Sequence, residues 1–453
     1  MPQSHVTLRS SMRHAGAGKS GAADGPRARR ADPSREELQL PLAPSPPISV
    51  ASARSSAPIS GISLRVHSDL DEVRDEWKAF ERQADRTVFQ TFDWLAAWQR
   101  EIGAKSGTIP AIVLGREAGG QLLFILQLAV ETRGMARRLT WLGWQLCDYN
   151  APLLAEQFSD RMSAERFVLA WQDVIQLLRG NPRLRFDLID LQKMPEAVGA
   201  QRNPFLDLQV LPHPSGAYVA NLGGDWEAFY AAKRSASTRK RERRQLKHLA
   251  EHGDVRFVDV KGRDDIAATL ATLMSQKSRA LARMGVDDFF AKPGRRDFFN
   301  AVVTDPALQD VIHVSRLDVG STVAATNVGL RFRDCYYLIL SSYDDGELSR
   351  FGPGRAHLQE LLQYAIRCGF RHFDFTVGDE PYKHDWADTE LKLYDHLAAA
   401  TAWGSLIMAT TTAFRRTKRV IKQSPVLWRA FSKARAFAGL LGRRQDAKEN
   451  ATK

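Results

Sequence analysis

One pattern, written twice, restricts this chain more than any other. The runs Arg185-Phe186-Asp187-Leu188-Ile189-Asp190 and His372-Phe373-Asp374-Phe375-Thr376-Val377 both read as buried strands with the same opening. Ahead of each lie two alternating apolar runs around a glycine turn, then a further strand and a helical period. In the first copy the runs are 109–114 and 122–131 about Gly119 and Gly120. Strands at 138–142 and 151–154 and a helix over 161–178 follow. In the second copy the runs are 311–318 and 323–333 about Gly320, followed by a strand at 335–343 and a helix over 354–368. Hairpin, strand, helix and strand in one order, twice, specify two copies of one α/β unit. Helices at 69–84, with Leu70, Val73, Trp77 and Phe80 on one face, and at 91–102 complete the first copy. The second begins with a strand at 218–222, helices at 225–232 and 235–251, a strand at 255–260 and a helix at 264–284. The units are expected at 61–212 and 213–402, with the strand at 391–400 and a short helix from Trp403 finishing the second.

The flanks differ in texture. Residues 1–60 hold eight of the twenty prolines and no apolar period, so they cannot bury enough surface to offset their ordering entropy and are expected to be disordered. Residues 403–453 form a basic tail. From 414 to 444 it has no acidic residue, and Leu427, Phe431, Ala434, Ala438 and Leu441 share one helical face. Such a helix suits an anionic membrane surface, or packs on the domain with its basic face solvated. The net charge of +12 favours anionic partners in general: phosphorylated cofactors, nucleic acid or acidic lipid. Three cysteines far apart in sequence exclude a disulfide framework and a zinc knuckle and suit a reducing cytoplasm. No apolar run approaches the ~20 residues of a membrane span, and the first ten residues lack a signal-peptide core. The expected location is cytoplasmic, at most peripheral to the inner membrane. No HExxH, Asp/His cluster or G-x-S-x-G is present, so neither a metal site nor a serine-hydrolase elbow is expected.

The chemistry concentrates between Ser349 and Trp386. A turn with Gly352 and Gly354 entering a helix leaves backbone N–H groups unpaired at the positive end of the helix dipole, which is a cradle for phosphate. Pro353 suits the first helical position, and Arg355 falls in the first turn. After the strand comes Gly378, then Asp379, Glu380, Pro381, Tyr382, Lys383 and His384. An anion cradle beside a proton-handling loop points to group transfer from a phosphate-bearing carrier. Asp379 and Glu380 are candidate bases if burial raises their pKa. Lys383 is placed to hold a phosphate or a carboxylate. Asp374, facing away from Phe373 and Phe375, is expected to make a structural hydrogen bond. The helix at 232–250 carries Arg239, Arg243 and six further basic residues around few apolar anchors, so it needs a partner or stands in solvent.

Three stretches in this order resemble the GNAT acyltransferase superfamily, and within it the CelD/BcsL-type acetyltransferases linked with cellulose and exopolysaccharide production. They are FQTFDWLAAW at 89–98, TRKRERRQLKHLAEHGDVRF at 238–257 and FDFTVGDEPYKHDW at 373–386, and the likeness covers about 62–400. The resemblance implies an α/β fold of tandem GNAT-like units, mixed mostly antiparallel sheets flanked by helices, as in the Fem-type double-GNAT transferases. It implies acetyl-CoA (acyl-CoA) as co-substrate, bound at a turn of pattern Q/R-x-x-G-x-G/A. Gly352, Gly354 and Arg355 match that place, with Ser349 where the pattern has Gln or Arg. The first unit has 157–162 there and no glycine, so only the second is expected to be catalytic. Asp379, Glu380, Tyr382 and Lys383 take the catalytic roles, Tyr382 as acid for the departing thiolate. Arg239, Arg243, His384 and Trp386 take substrate-binding roles, toward an amine on a sugar or polysaccharide precursor. Two rivals remain. One is a Fem-like transferase that uses aminoacyl-tRNA, the only reading that calls for nucleic acid. The other is a non-catalytic scaffold for a polysaccharide synthase.

Overall fold

The computed structural model describes residues 59–423. Apart from Ile59 and Ser60, the expected disordered tail falls outside them, as does the helical face built on Leu427, Phe431, Ala434, Ala438 and Leu441.

The first half runs β1 (Ser63–His67), α1 (Arg74–Glu81), α2 (Phe92–Trp98), β2 (Ile109–Arg116), β3 (Leu122–Arg133), β4 (Ala136–Trp141), α3 (Ala164–Gly180) and β5 (Leu188–Pro195). The second opens with β6 (Ala217–Asn221), α4 (Trp226–Lys233) and α5 (Ala236–Ala250). It then repeats the plan as β7 (Val255–Asp259), α6 (Arg263–Arg283), α7 (Arg295–Thr304), β8 (Ile312–Val319), β9 (Thr322–Phe332), β10 (Cys335–Tyr343), α8 (Pro353–Arg367) and β11 (His372–Val377). The chain ends, as described, with β12 (Leu393–Ala399) and α9 (Ala402–Gln423).

Each half builds a mixed, mostly antiparallel sheet, and one strand of the second half, β12, crosses over to the first sheet. The order is β1-β2-β3-β4-β5-β12 in one and β7-β8-β9-β10-β11-β6 in the other, each ending on a short further strand. β6 pairs antiparallel with β11, whereas β12 pairs antiparallel with β5. The strand expected to finish the second unit therefore closes the first sheet. Its alternation marks a half-buried strand but carries no information about which open edge it covers. The helix from Trp403 is longer than expected and packs on β12.

Aromatic packing fills the seam between the halves. Trp94 of α2 meets Phe298 of α7 edge-on at 5.0 Å, and Phe89 lies 6.3 Å from Tyr337 of β10. The run at 89–98 is thus seam material, each such pair adding about 1 kcal/mol beyond the area it buries.

Among the described residues two strand pairs are parallel, and both are short. β4 meets β5 only at Arg138↔Leu188 and Leu139↔Ile189. β10 meets β11 only at Cys335↔His372, Tyr336↔Phe373 and Tyr337↔Asp374. Beyond these residues the strands part, which opens a gap at the same end of each sheet.

Candidate functional site

The gap in the second half lies between the last residues of β10 and β11. Thr376 Oγ1 makes the last link across, donating to the Leu338 carbonyl at 3.3 Å. The β9–β10 ladder slips there, pairing Gly329 with Leu338 and Val328 with Leu340, so Ile339 is an extra residue. A bulge of this kind leaves backbone polar groups unpaired and turns the strand. α8 starts at the same end of the sheet, because it follows β10, and the 378–386 loop arrives there because it follows β11.

The start of α8 is a bare helix N-terminus. Gly352 precedes it at φ +71° and no side chain caps it. That backbone region costs glycine little, and the missing cap leaves the first N–H groups for an anion. At Gly354 a Cβ would stand 2.9 Å from Cδ1 of Tyr343, the last residue of β10, so the helix start is pressed against the gap. Ser349, where the pattern has a longer residue, serves through its carbonyl, which accepts from the Gly352 N–H at 3.1 Å. Arg355 is exposed and donates to Gln245 of α5 at 2.7 Å.

That contact explains the basic helix. α5 docks through one acidic residue, Glu242, which is 5% exposed. Its carboxylate accepts from Tyr230 at 2.6 Å, Arg234 at 2.7 Å and Gln359 at 2.9 Å. Arg239 is half-buried and Arg243 exposed, on a helix beside the Gly352 turn, where Phe351 packs against His252 at 5.0 Å. α5 thus has its partner in α8 and the turn before it.

The loop after β11 places its residues in three different roles. Lys383 is 3% exposed, and its ammonium meets the carbonyls of Thr376 and Val377 at 3.1 Å each and the Glu380 carboxylate at 3.0 Å. Three protons with three partners leave none for a phosphate, so its geometry is that of a pin holding the loop. Gly378, at φ +141°, lies so close over Glu380 that a Cβ would overlap its carboxylate. Tyr382 is held protonated, its pKa raised by burial and then by the charge of Glu380. Asp379 is partly exposed at the corner. His384 is exposed and edge-on to Tyr218 at 4.4 Å. Trp386 departs from expectation. It is 1% exposed, stacked 6.0 Å from Phe229 and covered by the Arg234 guanidinium at 5.1 Å. The turn Pro381–His384 folds it back into the core, away from any substrate.

Two groups at the gap, Lys277 and Asp148, escape the sequence reading, and a third, Asp374, is read there only in part. Lys277 of α6 reaches the Ser341 carbonyl of β10 at 3.1 Å, and burial lowers its pKa to about 8 against the opposing pull of Glu380. The available signal was its position. α6 buries Leu270, Leu273, Met274 and Leu281, and Lys277 falls on that same stripe. Asp374 makes the expected hydrogen bonds, but to the other half. Tyr149 donates to its two oxygens at 2.7 and 2.8 Å, the Thr376 N–H at 2.7 Å, and burial raises its carboxyl to about 7. Beside Tyr149, Asp148 faces the Thr376 hydroxyl, with its pKa raised by burial against the nearby Lys193 and Lys383. Thr376 itself has φ +57°, which is costly for a β-branched residue and marks a place held by its surroundings.

Among the described residues no group of three His, Cys, Asp or Glu is placed to hold a metal, and no helix is long and apolar enough to cross a membrane.

Comparison with known proteins agrees with this geometry. Residues 236–384 match the family model described as an acetyltransferase (GNAT) domain, a span that runs from the start of α5 to His384 in the 378–386 loop. No curated protein matches the chain. Among solved structures, FemX aligns over 74% of this chain and 97% of its own, at 9% identity and a TM-score of 0.50. A tandem GNAT protein from the clavulanic acid biosynthesis pathway aligns over 75% and 99% at 11% identity, with a TM-score of 0.42. A conserved protein of unknown function from Bacteroides thetaiotaomicron aligns over 75% and 100% at 12% identity, with a TM-score of 0.47. The fold is therefore the tandem, Fem-like one, with the family match lying in the second unit.

Proposed function

We propose that this protein is an N-acyltransferase that moves an acetyl or longer acyl group from acyl-CoA to an amine, and that the chemistry belongs to the second half. The observation that carries the reading is the uncapped start of α8 at Gly352, set at the mouth of the β10–β11 gap inside the stretch that matches the acetyltransferase family. The residues fit the carrier. The bare N–H groups and exposed Arg355 suit its phosphates, and the gap suits its extended arm. Arg239 and Arg243 on α5 extend the cationic surface toward phosphate or acceptor.

The carrier, when bound, supplies an activated thioester. Unpaired backbone N–H groups at the Ile339 bulge polarise its carbonyl. The acceptor ammonium gives its proton to the Asp379–Glu380 corner, in the company of Lys277, and the freed amine attacks the carbonyl carbon. A C–N bond forms and the C–S bond breaks; Tyr382 gives its proton to the thiolate, and the second proton, lost by the nitrogen as it becomes an amide, restores the phenol. Lys383 keeps the loop in place. Further, we place the acceptor amine on a sugar or polysaccharide precursor, after the exopolysaccharide-linked proteins that the chain resembles, and the protein in the cytoplasm with its basic C-terminal segment against an anionic membrane. Calorimetric titration with acetyl-CoA tests the core of the reading. Micromolar binding at one site per chain is expected, and a chain that takes up no acyl-CoA sinks it.

The likeness to FemX favours a second reading, transfer from an aminoacyl-tRNA. It predicts tight tRNA binding that weakens steeply with salt, and no affinity for acetyl-CoA.

A further inference from the structure

We infer that the first half is a working part of the second half's site: Asp148 receives the ammonium of a cationic amine acceptor, which enters at the seam between the halves. This rests on the acyltransferase reading and adds the acceptor's side of it.

The 147–150 segment of the first half is fixed from every direction. Gln90 donates to the Tyr149 carbonyl at 2.9 Å, and the Asn150 N–H to the Lys193 carbonyl at 3.0 Å. The Asn150 amide donates to the Gln192 carbonyl at 3.0 Å, and the Lys193 ammonium bonds the Cys147 carbonyl. The Tyr149 hydroxyl reaches across the seam to Asp374 in β11. Cys147, Tyr149 and Asn150 are buried at 0, 4 and 0% exposure, while Asp148 between them keeps accessible surface. So much hydrogen bonding around one partly exposed carboxylate delivers it to a defined place. That place is Thr376, the strained residue at which β11 leaves β10.

The charges around it settle the sign of its ligand. Lys193 and Lys383 are near; Lys383 directs its protons to Thr376, Val377 and Glu380, and the Lys193 ammonium bonds the carbonyl of Cys147, the residue next to Asp148. What the seam presents at this point is the carboxylate of Asp148, with that of Glu380 close by. A partly desolvated carboxylate takes an ammonium far better than a neutral hydroxyl, because a charge-assisted hydrogen bond is about twice as strong as a neutral one. An ammonium held there lies beside the strand gap, next to the groups assigned to take its proton. The acceptor class is thus a primary amine that arrives protonated, an amino sugar among them, and not its N-acylated product.

Titration of the full-length chain with D-glucosamine, 1,4-diaminobutane and N-acetylglucosamine, with and without CoA, tests this. The wild type is expected to bind the two cations and not the neutral sugar. Asp148→Asn is expected to lose at least about tenfold in affinity for both cations while its acetyl-CoA affinity and melting temperature stay unchanged, and Asp148→Glu to recover part of the loss. Tyr149→Phe controls for the scaffold, since it loosens the clamp and spares the carboxylate. If Asn does not fold, Asp148→Ser takes its place. Equal cation affinity in wild type and variant overturns the inference, and so does a wild type that binds neither cation. Absence of acetyl-CoA binding is a separate failure, because the titration without CoA reads the Asp148 site alone.

Discussion

The two halves open the same gap and finish it differently. In the first, the helix beyond the gap is α3, and Ser163 caps it by accepting the Arg166 N–H at 3.2 Å. At the parallel β4–β5 pairing, Arg138, itself paired with Leu188, meets Asp190, the residue after paired Ile189, at 3.0 Å, with side chains 13 and 2% exposed. In the second half the helix start carries no side-chain cap, and Gly352 takes the place of one. A capped N-terminus has one of its donors occupied, and a buried ion pair sits beside the paired residues of the two strands. An anion gains little from the first gap and much from the second. One fold thus becomes closed or receptive through a few side chains, with the backbone plan unchanged. Matched substitutions break this comparison most sharply. Gly354→Glu puts a Cβ against Tyr343 and a negative charge on the cradle, and is expected to abolish acetyl-CoA binding in calorimetry. Ala164→Glu, in the first turn of α3, is expected to leave it untouched. Equal losses would mean that the two helix starts do not differ in kind.

The next effect is on stability. Arg138→Met takes the Arg138 cation from the buried Asp190 carboxylate, which keeps the Gln192 amide at 3.1 Å, and should cost about 3 kcal/mol in urea unfolding. The double change Arg138→Met with Asp190→Leu should restore most of that, since removing both charges also removes their desolvation cost. Neither variant should move the affinity for acetyl-CoA. If Arg138→Met alone weakens it, the gaps are coupled and the first cannot be treated as a plug.

What the sequence revealed follows the same division. Local features were legible. The glycine turn, the second of the repeated strands and the basic helix all depend on residues near each other in the chain, and the structure places them as expected, whereas the first repeated strand starts at Leu188, past the Arg185-Phe186-Asp187 opening. The partner of β12 was not legible, because alternation specifies a face and not a neighbour. Trp386 was misplaced because a polar loop ahead of it resembles exposed chain until the Pro381–His384 turn reverses direction. Lys383 seemed a ligand because a lysine in a loop normally reaches into solvent, whereas here three acceptors capture it. Asp148 was invisible for another reason. Its role depends on Thr376, more than two hundred residues away, and no local pattern records such a contact. Lys277 alone left a readable trace, as a charge on an apolar stripe.

That trace gives a prediction in pH. The Lys277 ammonium has a pKa of about 8 in the folded chain against 10.5 for the ordinary group. Between those values the unfolded chain holds a proton that the folded chain has lost, so this residue makes stability rise with pH there. Lys277→Met should remove that rise, on the order of 2 kcal/mol between pH 8 and 10.5, in urea unfolding compared with wild type. Parallel curves for the two proteins would show the lysine to be solvated and ordinary.

The smallest expected effect tests what keeps the first gap shut. Ser163→Ala removes the hydroxyl that accepts the Arg166 N–H and should cost about 1 kcal/mol; Ser163→Gly should cost only a few tenths. The more telling readout is stoichiometry. Uncapping α3 frees backbone donors at a helix start that corresponds, in the repeat, to the one at Gly352. If the cap alone distinguishes the halves, the Ser163→Ala chain should take up a second acetyl-CoA. We expect it not to, because Arg166, which stands where α8 has Arg355, is already held by the Ser60 and Arg161 carbonyls at 3.1 and 3.2 Å, and the Arg138–Asp190 pair stays in place beside the strands. Titration should therefore still report one site per chain, with the affinity of wild type. Two sites would show that the cap was the barrier and the ion pair incidental.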